Sequence, residues 1–416
     1  MKFALAQTAI PTSNTTFDFT DANIASDFKG AIFFGSNATA NDTQDGAARL
    51  FLGATDAVRS AGLLLSIADA TAGARSLVYP SNAACILRNI PSSGTVNVLG
   101  AYSSTLSNGV RCALSSNDAT AHLFNALLFA GSDCEFGVST QAYISTDTSK
   151  SFAHNLTGAP DAMLVLIANA PSTFGTEAEG RATIGFWDGT NAAGWGFNQT
   201  SLANPTTLAA MLTADLGHSI VSLADHATWS VGSVDASNVT LNRSAAGGDA
   251  ACAIVIAWRA TSGTAGAKAV AADSATATGN QAILSGMAVQ PQMVIALPTR
   301  LTSNTLTTDD STGSFGLCVA VNNGGSTEQA NVTCASKDAV ATSVAKSYIN
   351  ITKFIQIADT SVALADQATL QSWDSGGVTV NWSTVDGSAR KVAMLGYGVS
   401  QGGGFGLSQL NNQGGF

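Results

Sequence analysis

Three stretches of the chain superpose without a gap: VRCALSSNDATAHLFNALLF (Val110–Phe129), VTLNRSAAGGDAACAIVIAW (Val239–Trp258) and VTVNWSTVDGSARKVAMLGY (Val378–Tyr397). In each, an alternating segment starts at Val, crosses a polar turn and runs into an apolar segment. That segment reaches an aromatic nineteen positions after the first Val. Alternation is the period of a strand. Asn117-Asp118, Gly247-Gly248-Asp249 and Asp386-Gly387 are the residues that tight hairpin turns use. Each stretch therefore reads as the closing β-hairpin of a unit that occurs three times.

The repetition extends upstream. Each copy opens on an alternating segment: KFALAQTA from Lys2, EFGVSTQA from Glu135 and AKAVAADSA from Ala267. Next come the apolar runs FKGAIFFGSN from Phe28, PDAMLVLIAN from Pro160 and PQMVIALPTR from Pro291. After a polar loop whose length varies, a Gly-led strand follows: GAARLFLGATD from Gly46, GRATIGFWDGT from Gly180 and GSFGLCVAVNN from Gly313. These glycines lie 134 and 133 positions apart. A period that long means tandem domains and not the short units of a solenoid. Short apolar runs divided by Gly, Asn, Asp and Ser turns point to β-sandwiches, with length variation confined to loops.

The expected fold is all-β, with three tandem, homologous, jelly-roll-like sandwiches over residues 1–133, 134–262 and 263–399, and a Gly-rich arm over 400–416. At most one short helix per unit is expected, in the Ala/Leu-rich segments Asp56–Ala70, Asn204–Gly217 and the matching part of the third copy.

Of the 416 residues, 45% are apolar and only 11% are charged, so real cores are possible and Ser, Thr, Asn, Gln and Gly must cover much of the surface. A net charge of −10 with no basic cluster argues against nucleic acid as a partner. No stretch is long and apolar enough for a membrane helix. The opening MKFALAQTAIPTSNTT has too short an apolar patch for a secretory signal, which implies folding in a cytoplasm. The six cysteines form no CxxC pair and fall at non-equivalent positions, so they read as small buried thiols.

No catalytic, cofactor or metal constellation emerges. His122, His154, His218 and His226 form no HExxH pair, and no GxSxG elbow occurs. Asp225 and Asp366, in LADHAT and LADQAT, fit backbone capping better than calcium ligation. Asp56, Asp188 and Asn322 follow the Gly-led strands and read as turn residues. In the second copy, Trp187, Asp188 and Trp195 offer a possible sugar-stacking contact; the competing reading is a hairpin whose rings fill the core. The tail SQGGGFGLSQLNNQGGF has the composition of a segment that does not fold alone, with Phe405, Leu407, Leu410 and Phe416 spaced along it. It reads as an assembly arm laid on another subunit.

Three tandem, low-charge, Ser/Thr/Ala/Gly-rich β domains with such a tail resemble virion proteins of tailed bacteriophages, of the decoration, head-spike or tail-fibre type. The entries at Phe28, Pro160 and Pro291 resemble those of the small sugar-binding sandwiches called H-type lectins. The first resemblance implies a non-enzymatic structural protein of the virion, without cofactor, that assembles with copies of itself and other virion proteins. The second implies a glycan-binding adhesin, with a host surface glycan as partner.

Overall fold

A computed structural model describes residues 1–24, 27–69, 76–89, 95–170, 173–199, 207–212, 214–221, 224–244, 250–304, 312–323, 325–337 and 344–400. The fold is all-β, and among the described residues there is no helix.

The first repeat contains β1 (Lys2–Ala9), β2 (Thr16–Thr20), β3 (Phe28–Gly35), β4 (Gln44–Gly46), β5 (Ala48–Thr55), β6 (Ser60–Ile67), β7 (Ser76–Ser81), β8 (Ile86–Asn89), β9 (Val96–Leu106), β10 (Gly109–Ser116) and β11 (Leu123–Ala130). The second contains β12 (Cys134–Tyr143), β13 (Ser149–Ala153), β14 (Ala162–Ala170), β15 (Glu177–Ala178), β16 (Gly180–Trp187), β17 (Ala192–Gln199), β18 (Thr207–Leu212), β19 (Gly217–Val221), β20 (Ala224–Val234), β21 (Asn238–Arg243) and β22 (Ala250–Ala260). The third contains β23 (Thr264–Asp273), β24 (Gly279–Leu284), β25 (Met293–Pro298), β26 (Thr312–Asn323), β27 (Ser326–Lys337), β28 (Ala345–Asn350), β29 (Ile355–Ala358), β30 (Leu364–Asp374), β31 (Gly377–Thr384) and β32 (Lys391–Ser400).

One connectivity recurs in all three. The large sheets run β1-β11-β3-β5-β6-β7, β12-β22-β14-β16-β17-β18 and β23-β32-β25-β26-β27-β28. The small sheets run β2-β10-β9-β8, β13-β21-β20-β19 and β24-β31-β30-β29. First and last strands pair antiparallel in each large sheet, as with Phe3 opposite Phe129 and Phe136 opposite Trp258. Strands β3, β5, β6 and β7 form a meander inside one sheet, so the crossing between sheets is left to β2 and β8–β10.

The triplicated stretch is not a hairpin. Strand β10 belongs to the small sheet and β11 to the large one, and the same split separates β21 from β22 and β31 from β32. In the first and third copies Asn117-Asp118 and Asp386-Gly387 carry the chain from one layer of the sandwich to the other. They look like hairpin residues because any tight reversal asks for the same backbone freedom.

The segments in which at most a short helix is expected hold strands where they are described. Asp56–Ala70 yields β6, Asn204–Gly217 yields β18, and the third segment yields β28. For β6, burial on both faces decides this. Along β6, Leu63, Leu65 and Ile67 enter one core while Leu64 enters another. Helix propensity is worth a few tenths of a kcal/mol per residue, whereas each fully buried Leu contributes about 1.5–3 kcal/mol.

That two-sided burial organises the molecule. One face of each large sheet meets its own small sheet: Ala31 and Phe33 of the first repeat, Met163 and Val165 of the second, Val294 and Ala296 of the third. The opposite face meets the other two repeats. Ile32, Phe34, Leu164, Leu166, Ile295 and Leu297 belong to a single core. Three sandwiches thus turn their large sheets inward on one shared centre, which explains apolar runs with no polar alternation.

Candidate functional site: the interfaces between the repeats

The three closing aromatics meet at this centre. Phe129 and Trp258 lie with ring centroids 5.4 Å apart, and Trp258 and Tyr397 lie 6.1 Å apart. Phe3 bridges the remaining gap, at 5.3 Å from Phe129 and 5.9 Å from Tyr397. Their ring planes are steeply inclined, which brings positive edges to negative faces. The Tyr397 hydroxyl donates to Asp161 Oδ2 of the second repeat at 2.9 Å. Burial and this carboxylate push the Tyr397 phenol well above its ordinary range.

Around the aromatics, each repeat caps the first strand of the next. Asp56 Oδ2 accepts from the Val138 main-chain N–H at 3.1 Å, and Asp188 Oδ2 accepts from that of Ala269 at 2.8 Å. Glu328 Oε2 accepts from the Leu5 N–H at 2.8 Å and closes the cycle. Asp56 and Asp188 also hold their own turns, accepting from the N–H of Arg59 at 2.7 Å and of Thr190 at 2.9 Å. At the third corner Asn322 holds the turn through Gly325, and Glu328 supplies the capping carboxylate. The turn reading of these residues therefore covers half of what Asp56 and Asp188 do.

The loops before the Gly-led strands exchange strands in the opposite sense. Strand β15 of the second repeat pairs with β7 of the first, Glu177 opposite Val78. Strand β4 of the first pairs with β28 of the third, Asp45 opposite Ser347. Both arms end on a residue with positive φ, Ala47 at 76° and Glu179 at 82°. Each of these donates its N–H to the start of the receiving strand, Ala47 to the Ala345 carbonyl and Glu179 to the Ser76 carbonyl, both at 2.9 Å. Side chains add Lys346 Nζ to Asp69 Oδ2 at 2.9 Å and Gln199 Nε2 to Ser336 Oγ at 2.8 Å. Head-to-tail contacts that return to their origin form a closed ring. One chain here does what a cyclic trimer does with three.

In the second repeat, Trp187 and Trp195 flank the β16–β17 hairpin and are 9% and 1% exposed. Trp195 stacks between Phe197 and Phe315 at centroid distances of 5.4 and 5.5 Å, inside the shared core. It presents no ring face to a sugar. Trp187 borders a shallow groove of about 450 Å³ together with Pro160, Gly189 and Val234, and Asp188 is engaged as described. Phe405, Leu407, Leu410 and Phe416 lie outside the described residues. Asp366 Oδ1 accepts from the Asp386 N–H at 2.6 Å, and burial pushes its carboxyl up to about 6. His122 Nδ1 sits 2.6 Å from the Asn37 carbonyl, and His154 Nε2 sits 3.2 Å from that of Asp235. The side chains of Asp225, His218 and His226 lie outside the described residues. All six cysteines are buried and none is in a disulfide. Among the described residues no group of three or more His, Cys, Asp or Glu is arranged to hold a metal, and no helix is long and apolar enough to cross a membrane.

The exchange strands are what the residues alone did not reveal. Their signal is slight: Gln44-Asp45-Gly46 and Glu177-Ala178 show no alternation, and their partners lie far away in the chain.

No protein-family description matches the chain, and no curated protein does. Among solved structures it is aligned with the LG1-3 region of the laminin alpha2 chain at 7% identity, over 94% of this chain and 95% of that one. The TM-score of 0.08 carries no structural argument.

Proposed function

We propose that the chain is a non-enzymatic structural protein of a virus particle, of the kind that decorates the head, forms a spike or builds the tail fibre of a tailed bacteriophage. The observation that carries this reading is the closed ring of three repeats, each capped by a neighbour, with strands paired across the first–second and first–third junctions. Three sandwiches of one connectivity closed around a shared core suit a site where threefold or quasi-threefold neighbours meet. Its low charge favours broad polar contacts over the focused field of a catalytic cleft. Ser400 itself closes β32 opposite Thr264, so the arm that extends the block to a neighbour is the segment after it. The test is assembly of the purified chain, measured by particle mass and electron microscopy, with and without residues 401–416. Loss of assembly in the truncated but folded chain supports the reading. A full-length chain that stays monomeric at all concentrations and labels no particle counts against it.

Glycan binding is a second reading, favoured by the groove beside Trp187. A glycan array probed with the chain and with Trp187→Ala separates the two: binding that the substitution abolishes makes the adhesin reading the better one.

A further inference from the structure

Between the first and third repeats the chain buries a positive charge to which no protein group hydrogen-bonds. Arg49 lies on β5, directly after the exchange strand β4, and is 1% exposed. Its Nε, Nη1 and Nη2 have no hydrogen-bond partner. A second guanidinium, Arg88, is also buried, but it is held by Asp118 in an ion pair and by Asn37 Oδ1 at 2.8 Å. Burial and the neighbouring Arg88 push Arg49 down to about 9. His122 adds no charge there, since burial and the two guanidiniums push it down to about 4. Asp45 lies close enough to feel both cations but forms no ion pair with Arg49. Asn89, fully buried beside Arg88 in the sequence, leaves both amide atoms without a partner.

The second repeat shows how the same position is neutralised. Arg181 occupies the place of Arg49, seven residues before the capping Asp in each case. Arg181 is paired through Nη2 with the Glu179 carboxylate. The residue equivalent to Glu179 is Ala47, with nearly the same positive φ and the same main-chain bond to the receiving strand. The first repeat therefore keeps the guanidinium and the backbone but lacks the carboxylate.

We propose that Arg49 binds a small inorganic anion, a halide or a monovalent oxyanion of similar size, where the missing carboxylate would stand. The guanidinium fork presents parallel N–H donors suited to such a ligand. An anion there satisfies a buried cation that is otherwise costly to keep. Because β4 is paired with β28, the anion also fastens the first repeat to the third.

The test uses the full chain. Thermal unfolding is followed at constant ionic strength while chloride or bromide replaces gluconate, a much bulkier anion. The expected midpoint rises with the logarithm of halide concentration once the site is populated, as for any ligand that binds only the folded state. Ala47→Glu restores the carboxylate of the second repeat; it is expected to abolish the halide dependence and to match in gluconate the stability of the parent in chloride. A crystal soaked in bromide is expected to show anomalous density within hydrogen-bonding distance of the Arg49 guanidinium. Equal midpoints in gluconate and halide, halide dependence that survives Ala47→Glu, or bromide density absent from Arg49 would each overturn the proposal.

Discussion

Phe129 and Trp258 stand 129 positions apart, close equivalent strands of two repeats, and touch at 5.4 Å between ring centroids. Trp258 also faces Tyr397 of the third repeat. Its removal therefore opens a cavity in a core that all three repeats share. Trp258→Ala should destabilise the chain by about 3–5 kcal/mol. Calorimetry should show one transition that moves as a whole. Three separate transitions, with only the middle one shifted, would mean that the repeats unfold independently.

Gly30 faces Phe136 across the junction of the first two repeats. A Cβ at Gly30 would lie 2.1 Å from Phe136 Cδ1. Gly30→Ala should cost roughly 1–3 kcal/mol, the usual penalty of overpacking. Phe136→Leu in the same chain should recover part of that loss, because the two residues are in contact and their effects couple. Strictly additive losses in a denaturant-based double-mutant cycle would contradict this junction.

The six thiols are closed to reagents in the folded chain. Burial pushes Cys252 up to about 12, and Cys134, Cys318 and Cys334 further still. Since the thiolate is the reactive form, a chromogenic disulfide reagent should titrate none in the native chain. It should titrate all six after denaturation without reductant, at a rate set by global unfolding. Fewer than six would reveal a disulfide.

Two buried groups give stability opposite slopes against pH. His122 falls from 6.5 to about 4 on folding. The unfolded chain then binds the extra proton between those values, so this contribution is complete above pH 6.5 and is lost as pH falls toward 4. Asp366 rises from 3.8 to about 6, so the folded chain holds the extra proton and stability declines as pH rises through that window. These two contributions oppose each other between about pH 4 and 6. His122→Gln should show stability falling with pH there, and Asp366→Asn should show it rising. Urea midpoints measured across this range decide; curves parallel to the parent in both variants would remove the assignment.

Much of the fold was legible in the sequence. Alternation placed the opening strands, the continuous apolar runs placed the inner ones, and the matched spacing of Phe129, Trp258 and Tyr397 marked three copies. These features are local: strand period, turn chemistry and side-chain size each depend on a few neighbouring residues, so they survive without knowledge of the fold. Burial of the Trp195 ring was legible as well, as one of two readings of its hairpin.

Other features were settled only by the tertiary structure. The polar turn between β10 and β11 gives no sign of whether it joins two strands of one sheet or passes between sheets. Ser60–Ile67 becomes a strand because Leu63 and Leu64 are buried on opposite faces, one of them by other repeats. Gln44–Gly46 and Glu177–Ala178 become strands because β28 and β7 offer them open edges. Asp56 and Asp188 become caps because strands of the next repeat bring them N–H groups. In each case the deciding partner lies roughly 80 to 300 positions away along the chain. A backbone hydrogen bond or a second buried face is a property of two segments together, and neither segment alone carries its record.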